Sequence, residues 1–247
     1  MISGMNPESG AKLKNKLRYV LRGCLDVIAP RRCVACGRRL SCTEEYVCAV
    51  CLKHAPVTGF QTDPYENVMA KDFWGLVRQM EKAAAWFYYE PGSEFSNIIK
   101  ELKYRHQPAL GIYIGEMMAH KMNESGFFDD IDYMIPVPVT RKRKRQRGYN
   151  QAECIANGIQ RVVPIPVATW AVERVEFDGS QTQLGRLDRM DNVGHAFRGK
   201  DMEALSHAHV LLVDDVTTTG ATLTAVANVL QKVPDIRISV LTAGYTR

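Results

Sequence analysis

The residues most able to do chemistry lie together in one stretch, Val210 to Thr222, which reads VLLVDDVTTTGAT. Val210 to Val213 has the composition of a buried strand. It delivers Asp214 and Asp215 to a carboxyl end, and the turn from Val216 to Gly220 then opens a helix. Adjacent carboxylates repel each other unless a partner shares their charge. A helix start exposes unpaired N–H groups and the positive end of its dipole, so it holds phosphate. Thr217, Thr218, Thr219 and Thr222 add hydroxyls, Gly220 lets the backbone come close, and Val216 and Ala221 complete the cradle. One end grips a phosphate and the other presents two carboxylates. A phosphorylated sugar fits that layout, with its 5′-phosphate in the cradle and its ribose 2′- and 3′-hydroxyls on Asp214 and Asp215. No GK[ST] follows the loop and GxGxxG is absent, which excludes a Walker-type loop and a dinucleotide fingerprint.

A second array is Cys33, Cys36, Cys48 and Cys51, spaced C-x2-C-x11-C-x2-C. Two such knuckles converge on one tetrahedral ion. Four thiolates suit zinc and leave no open position for substrate, so the expected role is structural. Zinc would supply the folding energy that so short a segment cannot draw from a core. Cys42 and His54 lie close enough to substitute as ligands but read as bystanders, and Cys24 and Cys154 read as packed thiols on apolar helix faces.

The third array is cationic. Arg141, Lys142, Arg143, Lys144, Arg145 and Arg147 run together with only Gln146 between them. Such a run is a solvated loop, a phosphate-binding loop using bidentate arginines, or a track for a nucleic-acid backbone. Tyr149, just after Gly148, could then stack a base. Lys103, Tyr104 and Arg105 follow a helix and either line the same cleft or offset that helix's dipole. Arg186 and Arg189 sit in a long polar loop, 177–197, of the kind that closes as a lid. The histidines show no paired spacing with acids and read as structural or surface residues. Trp74 and Trp86 read as packing residues.

These side chains need a scaffold. Strands are expected over 83–89, 131–137, 167–172, 210–213 and 236–242. Helices are expected from Ser93 or Ser96 as N-cap, over 109–122 and over 151–162, and again around Leu223 to Leu230. The cysteine segment should hold two strand-like runs with turns. Alternating strands and helices imply a parallel sheet with helices on both faces. Lys12 to Ile28 reads as a basic amphipathic helix that packs on the next module or docks on a membrane surface or partner.

The chain of 247 residues is 46% hydrophobic, enough for one large domain and a small module. The expected divisions are the basic helix at 1–30, the cysteine module at 31–60 and the α/β domain at 80–247. The apolar runs are too short for a membrane span and the first ten residues lack a signal-peptide core. The expectation is a cytoplasmic protein whose cysteines stay reduced. A net charge of +5 is modest, and its concentration in a few runs matters more than its size.

The Val210–Thr222 stretch resembles the phosphoribosyl pyrophosphate (PRPP) motif of the type I phosphoribosyltransferases. MIPVPVTRKRKRQRGYNQAECIANGI is similar to the first core strand, pyrophosphate loop and helix of that fold, and SQTQLGRLDRMDNVGHAF to its flexible loop. With FYYEPGSEFSNIIKELKYRHQPAL and the cysteine module, these segments resemble the competence protein ComF family, including its GntX-like members. The resemblance covers nearly all of the chain after about residue 20. It implies a type I phosphoribosyltransferase-like α/β fold with a zinc-ribbon-like module. It also implies PRPP with magnesium on Asp214, Asp215 and the loop to Thr222, and Lys103, Arg147, Gly148, Arg186 and Arg189 around the pyrophosphate. Single-stranded DNA is the implied partner, with the earlier cations of the basic run and Tyr149 on the strand and the arginines near Gly148 on the small ligand. Further implied partners are the DNA-uptake machinery or a helicase, with peripheral contact to the inner membrane through the N-terminal helix. Active transfer of ribose 5-phosphate to an unidentified acceptor, or PRPP sensing without transfer, are the alternative functions. Asp214 and Asp215 would be the catalytic pair if transfer occurs.

Overall fold

Apolar runs that do not alternate with polar residues make central strands, because such strands are covered on both faces. The computed structural model describes residues 25–175 and 196–246, and the chain divides into two units, Met1–Ala55 and Pro56–Arg247. In the second unit the strands are β1 (Met80–Tyr88), β2 (Tyr133–Pro136), β3 (Val172–Arg174), β4 (Phe197–Gly199), β5 (His209–Thr217) and β6 (Arg237–Tyr245). Among the described residues, four of them form one sheet in the order β1-β6-β5-β2, every neighbouring pair parallel. β3 and β4 make a separate antiparallel ribbon. Val210, Leu211, Leu212 and Val213 are all fully buried, so both faces of β5 are covered.

The helices of this unit are α2 (Val68–Asp72), α3 (Asn97–Tyr104), α4 (Pro108–Asn123), α5 (Arg141–Arg147), α6 (Gln151–Gln160) and α7 (Ala221–Leu230), following α1 (Ala49–Lys53) in the first unit. The class is α/β with a parallel sheet, as expected from the strand–helix alternation. Helices α4 and α6 pack almost backbone to backbone. A Cβ at Gly115 would fall on the Ile155 carbonyl and one at Gly158 on the Ile112 carbonyl, so neither position tolerates a side chain. The start of α6 is tied to the end of β2 separately, where Asn150 Nδ2 donates to the Val137 carbonyl at 3.0 Å.

Several local expectations change. β5 runs on to Thr217, so Asp214 and Asp215 lie within the strand and the turn is shortened to residues 218–220. The strand expected over 167–172 is reduced to a single bridge between Val167 and Met134, because Pro166 has no N–H for the ladder and the chain turns at Thr169-Trp170. The basic run is a helix rather than a loop: the Thr140 side chain caps its start by accepting from Arg143 N–H at 3.1 Å, and Gly148 ends it with φ 80°. Residues 56–60, expected in the cysteine module, and 61–79, left between the expected domains, belong to the second unit and bury Phe60, Met69, Phe73 and Val77. Trp86 packs, but Trp74 is 56% exposed.

In the first unit, the cysteine segment shows one antiparallel bridge, Arg32 with Arg39, in place of two strand-like runs. Residues 25–28 are helical, but Leu25 and Ile28 of the expected packing face are exposed, while Asp26 is buried against Arg31. The rest of the expected helix from Lys12, and Cys24, lie outside the described residues. Among the described residues no helix is long and apolar enough to cross a membrane.

Candidate functional site

The carboxyl end of a parallel sheet is where open α/β folds bind ligands. Here β5 brings Asp214 and Asp215 to that end, the first half-buried and the second buried. Lys103, near the end of α3, places its Nζ 3.2 Å from Asp215 Oδ2. Asp214 Oδ1 accepts from the Asp215 N–H at 2.8 Å. Burial, and then the charge of Asp215, push the Asp214 carboxyl up to about 8, against the weaker pull of Lys103 and Arg174. Burial and the neighbouring charge thus favour the protonated form of Asp214, and a cation arriving there would relieve that repulsion.

Beyond Thr217 the chain turns into α7. Gly220 has φ +71°, and a Cβ there would also press on the Phe73 ring at 3.1 Å. It supplies no side-chain cap, and the Ala221 N–H donates to Thr219 Oγ1 at 3.4 Å, a long bond that a better acceptor could replace. Thr217 is buried, Thr218, Thr219 and Ala221 are exposed, and Thr222 and Val216 line the adjoining cavity. That cavity, of ≈ 330 Å³, contains Asp214 and Asp215 and is walled on the other side by Lys103, Tyr104, Arg143 and Arg147.

Helical phase divides the basic run. Arg143 and Arg147, one turn apart, face the aspartate cavity. Arg141 and Lys144 line a neighbouring one, and Lys142 and Arg145 lie exposed on the remaining face. The cations are thus sorted by helical face in the structure. Arg147 Nη1 donates to Gln151 Oε1 at 2.8 Å, and its guanidinium stands 5.9 Å over the Tyr104 ring. Gln151 is 2% exposed, and its Nε2 has no hydrogen-bond partner among the described residues. Tyr149, expected to stack a base, instead donates its hydroxyl to the Leu102 carbonyl and ties α3 to the start of α6. Arg186 and Arg189 lie outside the described residues.

The four cysteines of the first unit converge, with their sulfurs within 4.8 Å of one another and Cys36 Sγ 3.8 Å from Cys48 Sγ. Four sulfurs about 2.3 Å from a tetrahedral zinc lie under 4 Å apart, so the donor set fits a closed structural site. Cys48 N–H points at Cys33 Sγ (3.3 Å) and Cys51 N–H at Cys48 Sγ (3.5 Å). Burial alone would raise the Cys33 thiol, but N–H groups of Cys36, Cys48 and Ala35 outweigh it and bring it down to about 7. Cys42 is exposed and His54 Nδ1 is engaged with the Val50 carbonyl at 2.9 Å; neither joins the cluster. Cys154 is buried, and desolvation pushes its thiol up to about 11, as expected of a packed residue.

No protein-family model matches the chain. It is 25% identical over 216 residues to competence protein F of Haemophilus influenzae, covering 81% of this chain and 91% of that protein. It is also 31% identical over 100 residues to the DNA utilization protein YhgH of Escherichia coli K12, covering 40% of this chain and 43% of that protein. Among solved structures, a hypothetical protein from Neisseria gonorrhoeae with bound ppGpp matches at TM-score 0.35 and 17% identity, over 54% of this chain and 66% of that one. A purine phosphoribosyltransferase from Pyrococcus horikoshii matches at TM-score 0.33 and 17% identity, over 59% and 84%. The fold rests on strand order and register.

Two residues of the site, Gln151 and Arg174, carry no signal in the sequence, and a third, Arg143, is signalled only as one member of a basic run. Arg143 is hidden among like neighbours until the helix gives it a face. Gln151 reads as an ordinary first residue of a helix. Arg174, at the end of a three-residue strand, lines both cavities.

Proposed function

We propose that this chain binds PRPP with a divalent cation and serves DNA uptake by handling incoming single-stranded DNA on the cytoplasmic side. The observation that carries the reading is one cavity joining Asp214 and Asp215, the start of α7, Lys103 and the Arg143–Arg147 face of α5. The 5′-phosphate would sit on the α7 N-terminus and the ribose hydroxyls on the aspartates. The diphosphate would lie against Lys103, Arg143, Arg147 and the Gln151 Nε2 donor. Two carboxylates with one neighbouring ammonium suit a hard oxygen-loving cation such as magnesium, which would screen the diphosphate's charge when bound. The exposed Lys142–Arg145 face of α5 is the part of the basic run left to follow a strand's backbone. Membrane contact through the N-terminal basic helix and protein partners in uptake belong to the same proposal.

A second reading, transfer of ribose 5-phosphate to an acceptor, is favoured by the second cavity beside the first. In that case Asp214 and Asp215 would orient the ribose and counter the positive charge that develops on its ring. The test is thermal stability with PRPP and Mg²⁺. Binding to the folded state alone raises the melting temperature in step with RT ln(1 + [L]/Kd). Wild type should show the rise and Asp214→Asn with Asp215→Asn should not. An equal rise in both proteins would remove the aspartates from the site.

A further inference from the structure

Between α5 and the β3–β4 ribbon lies the second cavity, of ≈ 300 Å³. Pro138, Val139, Asn150 and Arg174 line both cavities, so the two are separated by a single layer of side chains. The second also contains Arg141, Lys144, Glu153 and Glu173. Its carboxylates are already matched: Lys144 Nζ lies 3.6 Å from Glu153, and Arg198 Nε donates to Glu173 at 2.8 Å. The guanidiniums of Arg141 and Arg174 remain. Arg174 is half-buried and stands 5.0 Å over the Phe197 ring, and among the described residues it donates no hydrogen bond. A guanidinium offers five donors, and removing it from water without an acceptor is costly. Burial, with the like charge of Arg143 added, pulls its pKa below the usual arginine value. An anion arriving between the cavities would relieve both costs.

The geometry points to a second anion subsite, which takes the phosphate group of a second ligand, a phosphate ester, beside the phosphosugar. Arg141 belongs to that ligand alone, Arg143 to the phosphosugar alone, and Arg174 bridges the two. The inference rests on the PRPP reading only for what fills the first cavity. It gives the acceptor side a chemistry: a group that carries phosphate, such as a nucleotide or a strand's phosphodiester, in place of a free neutral base.

Calorimetry on the full-length, metal-containing protein tests this, with saturating PRPP and Mg²⁺ present and three probes: inorganic phosphate, thymidine 5′-monophosphate and a short oligothymidylate. Arg141→Ala should weaken the binding probe about tenfold and leave PRPP within about twofold. Arg143→Ala should do the reverse, and Arg174→Ala should weaken both, with Arg174→Lys recovering part of each loss. Equal affinity for phosphate and the mononucleotide would mean that the subsite reads phosphate alone; tighter oligothymidylate would mean a strand. Binding of a probe that depends on Arg141 while PRPP fails to bind would remove the PRPP reading and keep the subsite. One-for-one displacement of the probe by PRPP, or three probes indifferent to Arg141→Ala, would overturn it.

Discussion

The two ends of one parallel sheet treat charge in opposite ways. At the amino end the polar groups are tied to one another. Lys82 Nζ donates to the Phe127 and Asp129 carbonyls at 3.3 and 3.0 Å, and its N–H donates to Ser239 Oγ at 3.1 Å. His209 Nε2 is 2.8 Å from the same Oγ, and the His209 N–H donates to Asp132 Oδ2 at 2.7 Å; His209 Nδ1 is left without a partner. At the carboxyl end the groups are held ready instead. Asp214 is driven toward its protonated form, Gln151 Nε2 has no acceptor, and the Arg143 and Arg174 guanidiniums donate no hydrogen bond among the described residues. A polar group satisfied within the fold contributes stability, and one left unsatisfied stores affinity for a ligand.

The largest effect should come from separating those two roles. Lys82→Ala strands two carbonyls in the interior and should cost about 3 kcal/mol in urea denaturation, with PRPP affinity of the folded protein unchanged. Arg143→Ala should do the opposite, losing PRPP affinity while stability moves by less than about 0.5 kcal/mol. A Lys82→Ala protein as stable as wild type would break the contrast.

The next effect is on pH dependence. With Asp214 near 8 in the fold and near its ordinary value when unfolded, the folded state binds the extra proton between those limits. Stability without ligand should therefore fall as pH climbs from about 4 towards about 8. Asp214→Asn keeps the Oδ1 acceptor for Asp215 N–H and should flatten that fall, as read from melting temperatures across the range. PRPP–Mg²⁺ affinity should rise over the same interval, because the Mg²⁺ ion prefers the ionised pair. Parallel melting curves for the two proteins would contradict this account of Asp214.

The smallest effect belongs to the amino end. Burial holds His209 below its ordinary pKa, so the unfolded chain takes up a proton first as pH drops. Glu81, 3.7 Å from Nε2, favours the charged form, and Arg237 and Lys82 oppose it. Stability should be full above about 6.5 and decline below it, and His209→Gln should remove that component from the acid limb. An unchanged acid limb would show that His209 is not its source.

What the sequence made legible follows from chain locality. Asp214 to Thr222 is contiguous, so strand, acids and helix start could be read in one pass. The cysteines announce themselves because metal ligands obey short spacings. Arg174 and Gln151 escaped because their meaning lies in what surrounds them: one is shared by two cavities, the other is buried with a spare donor. The extension of β5 past Asp215 escaped because apolar composition stops at Val213, whereas the pairing of Val216 with Gly244 and Thr217 with Tyr245 continues. The phase of α5 escaped because six neighbouring cations carry no hydrophobic period to set a face.

The most direct measurement is a crystal structure of the protein with PRPP and Mg²⁺. The account predicts the 5′-phosphate on the N–H groups at the start of α7, the ribose hydroxyls on Asp214 and Asp215, and the diphosphate against Lys103, Arg143 and Arg147. A ligand bound with its ribose away from the two aspartates, or at the amino end of the sheet, would contradict it.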